Sequence, residues 1–358
     1  CLVGSEMCIR DRRYNIASNQ YTKFISTFGN INMYASYLSI SIPVLLAVFA
    51  FCKNWFSRIL SGILLIAAGC NILIANSDSV FLGIFAGVVV VTILAFMQGR
   101  LRYSSFAVFL LFVGNLVLGF INKYGHTRYD KKRGGLAIAL NRLDIAFVLC
   151  GAALLVFAVV CVCNWKLGTR VAAWNKKKIV LIVCGACVAL GVIGIIVLAV
   201  TGSSLLTFND KWGSYRGYIW RKIVEVYGDA PFVNKLFGYG NESVRVTLKA
   251  ACYNEMVQVT GKVYDNAHNE LLQYLFTTGI VGLLSYLALV GSSIVYMFKH
   301  AKEHAWISVC LAATVGYFAQ SILNLNQPIT TPLFFVFMAM GVGTVNYCRR
   351  VKELEKRA

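Results

Sequence analysis

Charge is scarce in this sequence. Only 14% of its 358 residues are Asp, Glu, Lys or Arg, against roughly a quarter in an ordinary soluble domain, while 58% are hydrophobic, so a water-soluble globular protein is excluded. Proline is scarcer still, with four residues, and no long polar tract occurs, which removes the disordered and low-complexity classes. The alternating ten-residue segments of a β-barrel are also missing. Acidic residues are outnumbered, 15 against 34 basic, leaving a formal charge of +19. Such an excess can mark a nucleic-acid partner. Here the cations fall between apolar runs, where juxtamembrane positive charge is expected, so no nucleic-acid partner is expected.

What is present is long apolar runs. Nine stretches, at about 33–52, 59–77, 79–98, 104–122, 145–163, 179–200, 271–298, 305–324 and 329–347, carry no Asp, Glu, Lys or Arg in their interiors. About twenty residues of helix cross a hydrocarbon core of roughly 30 Å. The fold class expected is therefore an all-α polytopic membrane protein of about nine transmembrane helices. Orientation follows from the cations of the short loops. Lys53 and Arg58, Arg100 and Arg102, the run from Lys166 to Lys178, Lys299 and Lys302, and the tail from Arg349 to Arg357 all fall on one side, the expected cytoplasm.

The other side receives a basic segment at 123–144 and a long loop at 201–270, followed by helices and a basic tail at 271–358. Lys123, Arg128, Lys131, Lys132, Arg133 and Arg142 break the positive-inside rule there. Either two spans are misassigned, or these cations face an anionic ligand at the outer surface. In the long loop, SYRGYIWRKIVEVYGDAP has helical spacing of Tyr215, Ile219, Ile223 and Val226, with Ser214 as a cap and Gly228 and Pro231 as a stop; it is expected to lie on the membrane as an interfacial amphipathic helix. A second helix is expected at about 242–258.

The first twelve residues, CLVGSEMCIRDR, lack the apolar core of a targeting signal and resemble a translated sequencing adapter. The natural sequence is expected to begin near Arg13, with its N-terminal part missing. Most other cysteines lie inside apolar runs as small fillers. Cys184 and Cys187 form a CxxC with no second pair or histidine to complete a metal site.

Four histidines occur. His300 and His304 sit in a lysine-flanked turn and His126 on the basic segment, where a solvated surface role suffices. His268 differs, because it lies where the long loop re-enters the membrane, and imidazole at a partly dehydrated interface can accept a proton from a hydroxyl.

Three segments carry a family resemblance. AHNELLQYLFTTGIVGLLSY contains His268 and Asn269, Leu272, and Gly279 seven residues on. YRGYIWRKIVEVYGDAPFVNKLFGYG contains Arg216, Trp220, Leu236, Phe237, Gly238 and Gly240. STFGNINMYASYLSISIP contains Phe28, Gly29, Asn30, Asn32 and Pro43. In order and spacing, over about residues 26–345, these resemble the O-antigen ligase and O-antigen polymerase-like membrane protein family. One departure stands out: Ser77-Asp78-Ser79 replaces a Ser-Arg found in many relatives, so a phosphate contact from that arginine is not carried over.

The resemblance implies a fold of roughly twelve helices, of which this chain would be an N-terminally truncated member. It implies transfer of a glycan from an undecaprenyl-diphosphate-linked donor to a glycan or lipid acceptor hydroxyl, at the external face of a bacterial cytoplasmic membrane. His268 would be the catalytic base. Arg216 would stabilise the diphosphate together with Arg128, Arg133 and Arg142, because guanidinium groups bind phosphate oxygens in pairs. Trp220, Gly238, Gly240, Asn269, Gly279, Asn30 and Asn32 would be structural. The loop offers only isolated Asp210, Asp229 and Asp265, so no metal and no other cofactor is expected. A repeat-unit polymerase of the same family is the alternative, and a transporter the more distant one, since spans without charge argue against ion coupling.

Overall fold

In the computed structural model the residues described are 31–75, 77–124, 142–172, 209–324 and 327–357. Among them eleven helices form and no strand: α1 Ile31–Phe51, α2 Trp55–Ala75, α3 Asp78–Met97, α4 Leu101–Tyr124, α5 Leu143–Ala172, α6 Trp212–Gly228, α7 Phe232–Phe237, α8 Ser243–Thr260, α9 Glu270–His300, α10 Ala305–Ser321 and α11 Thr331–Glu355. Helices are what apolar segments must form in lipid, where each backbone N–H and C=O has to be satisfied within its own segment. Seven of them (α1 to α5, α9 and α11) are long and apolar enough to cross a membrane, and α10 is apolar but shorter. The protein is thus an all-α polytopic membrane protein. Eight of the nine apolar runs coincide with these helices; the run at 179–200, with its CxxC, lies outside the described residues, as do the adapter-like residues 1–12 and His126.

The chain divides into two compact units. One joins the chain up to Trp174 to residues 293–320 and the C-terminal stretch from Gln327; the other comprises 175–292 and 321–326. In the first unit α1 packs on α2 and α3, α2 on α4, and α4 on α5. Small residues set these contacts, as expected where lipid tails supply no hydrophobic drive between helices. Gly69 of α2 and Gly114 of α4 face one another: a Cβ on Gly69 would stand 2.1 Å from the Leu111 carbonyl oxygen, and one on Gly114 would stand 2.0 Å from that of Ile66. Pro43, inside α1, is accommodated because Gly87 and Gly316 leave a notch for its ring. Buried polar groups in this unit satisfy one another; Gln320 joins Ser36 of α1 at 3.3 Å to Ser79 of α3 at 3.4 Å. On α5, Val148, Leu155 and Val156 point outward, an apolar surface suited to lipid.

In the second unit α6 and α8 build a core of their own. Tyr218, Ile219 and Ile223 are buried against Val244, Leu248, Met256, Tyr264, Ala267 and Phe276. The apolar face of α6 is therefore covered by protein, not by the membrane surface that its periodicity alone suggested. The helix also starts three residues early, at Trp212 after Lys211, which places Ser214 inside the first turn instead of at its cap. Helix α8 begins and ends within two residues of the span expected for it.

The Gly69 and Gly114 contact generates a stability prediction. Gly114→Val drives a branched side chain into the α2 backbone, an overpacking cost of about 1–3 kcal/mol, and should lower the unfolding midpoint in detergent by about 5 °C. Gly151→Ala, at a site with nothing within 4 Å, should leave the midpoint unchanged within about 1 °C in the same thermal scan.

Candidate active site

The site begins with a broken helix. Gly279, inside α9, has φ 69° and ψ −173°, a conformation that interrupts the helix. The carbonyls of Phe276 and Thr277, whose helical donors would lie beyond the break, accept instead from the backbone N–H groups of Tyr239 and Gly240, each at 3.0 Å. Glycine is required on both sides of this junction. A Cβ on Gly279 would stand 2.2 Å from the Leu236 oxygen, and one on Gly238, whose φ is 77°, would stand 2.3 Å from the Thr277 oxygen. Tyr239 also stacks on Phe276, with ring centroids 4.9 Å apart.

The two arms of α9 then double back. The Tyr286 hydroxyl donates to Glu270 Oε1 at 3.0 Å, across sixteen residues that a continuous helix would separate by about 24 Å. Tyr274 and Tyr286 stack at 4.3 Å. So the seventh apolar run is not one continuous helix. It is a nine-residue arm, Glu270 to Thr278, folded against the start of a longer arm running from Ile280 to His300. Glu270 is fully buried at the start of the short arm.

His268 stands just before that start. Asn269 precedes the first helical residue, and its Oδ1 accepts from Leu272 N–H at 3.0 Å, an N-cap bond. The turn leading in is fixed by Gln273 Oε1, which accepts from Ala267 N–H at 2.9 Å, and by Asn266 Oδ1, which accepts from His268 N–H at 3.1 Å. These bonds hold His268 in the left-handed region, at φ 48°. Few non-glycine residues adopt that conformation unless their surroundings impose it. Its ring meets the Tyr264 ring edge-on at 5.8 Å, and its Nδ1 is shielded from solvent with no hydrogen-bond partner among the described residues.

Helix α6 brings Arg216 and Trp220 to the same place. The Trp220 indole N–H donates to the Ala267 carbonyl at 2.8 Å, tying α6 to the residue before His268. Burial pushes His268 down to about 4, and the positive charges of Arg216 and Lys262 push in the same direction, while Asp265 opposes them. Lys262 itself lies over the Tyr264 ring, 4.5 Å from its centroid. The result is a neutral imidazole beside two cations. Such surroundings favour an anion and leave the imidazole unprotonated.

Below this, α6 and α8 are joined by charge. Lys222, buried, contacts Glu255 at 2.8 Å and Glu225 at 3.1 Å, and these bonds raise its proton affinity above the ordinary lysine range. Arg221 grips Asp210 with two bonds, at 2.9 and 3.1 Å.

Of the other residues expected to contribute, Arg142 and Asn32 are described in the first unit. Arg142 makes a two-bond pair with Asp144 at the start of α5, exposed to solvent. Asn32 lies on α1 in the first unit, where its carbonyl accepts from Ser36. Arg128, Arg133 and Asn30 lie outside the described residues. Among the described residues no three His, Cys, Asp or Glu side chains come together as a metal-binding group. Glu270, Tyr286, Gln273 and Lys262 belong to the site yet were not singled out from the sequence. Only Glu270 carried a signal, as a lone carboxylate at the head of an apolar run.

Taken together, these features define a polytopic membrane protein with an electropositive, histidine-bearing site at the end of a long loop. Residues 133–287 match the family model described as O-antigen ligase, a stretch that takes in Arg216, Trp220, Gly238, His268 and Gly279. No curated protein matches the chain. The match supports an O-antigen ligase-like family and, at family level, glycan transfer of the ligase or polymerase type with a lipid-linked substrate.

The electrostatics are open to direct measurement. In a histidine-labelled protein, the His268 ring should titrate near pH 4 by NMR, well below the usual value near 6.5. Removing a neighbouring positive charge favours protonation, so Arg216→Gln should move that titration upward. Burial remains in the variant, and the value should stay below 6.5.

Proposed function

We propose that this site transfers a glycan from an undecaprenyl-diphosphate-linked donor to an acceptor hydroxyl, with inversion and without a metal, on the external face of a bacterial cytoplasmic membrane. The observation that carries the reading is the buried His268 at the head of the folded-back arm, tied to α6 through the Trp220 bond to Ala267 and lying within the field of Arg216 from that helix. His268 takes the proton of the acceptor hydroxyl as its oxygen attacks the anomeric carbon. The bond from that carbon to the diphosphate breaks, and undecaprenyl diphosphate leaves with the electron pair. Arg216 stabilises the charge that gathers on the leaving group. The unpartnered Nδ1 adds support, since an imidazole whose tautomer no neighbour fixes is free to serve as acceptor or donor.

A resting base near pH 4 is weak, but the donor changes its surroundings. Bound diphosphate offsets Arg216 and Lys262, the two charges that lower the affinity of His268 for a proton. The base is thereby strengthened when the donor is in place. Attachment of a finished glycan to a different acceptor is preferred over repeat-unit joining, because all three sequence segments lie closer to the ligase pattern.

The test is transfer of a labelled undecaprenyl-diphosphate glycan by the purified protein in detergent, with chelator present throughout. His268→Ala should lower turnover by about 10²–10⁴-fold with donor binding nearly intact. Arg216→Lys keeps the charge but loses the planar fork, so donor affinity and turnover should fall together. Near-normal turnover of His268→Ala removes the histidine from the mechanism. Loss of wild-type activity in chelator removes the metal-independent reading, and a ladder of products formed without a foreign acceptor makes the protein a polymerase.

A further inference from the structure

A second cationic site lies far along the sequence from the first, at the loop-facing ends of α2 and α4 in the other unit. Arg58, in the first turn of α2, places its guanidinium carbon 4.2 Å from the centroid of the Tyr103 ring. Arg102 places its own 4.8 Å from the same ring and donates from Nη2 to the Tyr103 hydroxyl at 3.1 Å. Two like charges thus share one aromatic ring. Arg100 is engaged differently, its Nη1 donating to the carbonyls of Ala50 and Phe51 at the end of α1.

No carboxylate among the described residues pairs with Arg58 or Arg102. The sequence explains why. From Arg13 to Tyr129 the only acidic residue is Asp78, which starts α3, a helix-length from the α3 to α4 turn that carries Arg100 and leads into Arg102. The Nε of Arg58 is shielded from solvent and has no hydrogen-bond acceptor. Holding two guanidinium groups together costs Coulomb energy that no carboxylate among the described residues offsets. An anion with several oxygens would offset it, and paired guanidinium groups favour phosphate geometry.

The surface beside the pair indicates where that phosphate comes from. Trp55, Phe56, Ile59, Leu60 and Ile63 of α2 are all exposed, forming an apolar stripe that starts at the arginine pair and runs along the helix. In a membrane helix such a stripe lies against acyl chains, and exposed Trp at a helix end sits at headgroup level. We propose that Arg58, Arg102 and Tyr103 form a binding site for the phosphate of an anionic phospholipid whose acyl chains lie along α2. The positive-inside pattern assigns this end to the cytoplasmic leaflet.

The experiment is native mass spectrometry of the purified chain released from detergent, with added phosphatidylglycerol or phosphatidylcholine. The wild-type chain should retain one phosphatidylglycerol in preference to phosphatidylcholine. Arg58→Gln with Arg102→Gln should weaken that retention about 10- to 30-fold, at roughly a tenfold factor or less per cation. Lys299→Gln with Lys302→Gln, which removes two cations from another turn of the same side, should leave it unchanged. Arg58→Lys with Arg102→Lys, a variant that keeps charge and fold, should recover part of the loss. Equal retention of both lipids, or undiminished retention in the double glutamine variant, overturns the proposal. So does displacement of the lipid by millimolar inorganic phosphate, which would make free phosphate the ligand. None of these readouts depends on glycan transfer.

Discussion

Two carbonyl groups govern the second unit. When Gly279 breaks α9, Phe276 and Thr277 lose their place in the helical ladder, and a buried carbonyl left without a donor costs on the order of 1–3 kcal/mol. Tyr239 and Gly240 supply the donors from the turn after α7, and they can approach only because residues 238 and 279 carry no side chain. The motif glycines are thus one joint, made by two segments that sequence separates. Everything nearer the histidine depends on it. The break lets the short arm fold back, the fold brings Glu270 against Tyr286, and the start of that arm holds His268 between an N-cap and a glutamine bond.

The same unit keeps its charges in two separate groups. Arg221 and Lys222 are neutralised by Asp210, Glu225 and Glu255, and they fasten α6 to α8. The charge of Arg216, one turn earlier, acts on His268 and Tyr264. Three cations on one helix therefore do two jobs. The paired ones hold the scaffold, and the third makes the surroundings of His268 more electropositive. Trp220 connects the two groups, since its bond to Ala267 ties the scaffold helix to the histidine turn.

The membrane helices were legible in the sequence because length and hydropathy are local properties, and the described helices follow eight of the nine runs. The pairing of Arg216 with His268 was legible only through motif resemblance, since no spacing rule brings such distant residues together. Two features were not legible. Periodicity revealed the apolar face of α6 but not what covers it, and α8 with the histidine turn covers it instead of lipid. The run from 271 to 298 looked like one span because a glycine within it is common in membrane helices. Its break shows only in the contacts of Gly238, Tyr286 and Glu270. Glu270 was passed over for a related reason: a carboxylate at the head of an apolar run reads as a boundary, whereas here it is a buried hinge group.

The low proton affinity of His268 fits the proposed reaction better than an unperturbed histidine would. An imidazole near 6.5 would be partly protonated in the resting site, and that fraction could not accept a proton. Held down by burial, Arg216 and Lys262, it stays neutral until an anion arrives. In the proposed reaction, as the acceptor proton moves to the ring, positive charge appears on His268 at the stage when negative charge grows on the departing diphosphate. Each charge stabilises the other, and neither is complete in the ground state. An interaction of that kind lowers the barrier instead of merely tightening substrate binding. By linkage, the factor by which bound diphosphate strengthens the base is the factor by which the protonated base tightens diphosphate. The burial that weakens the free base is then also what makes the coupling large, because the shielded site screens it little.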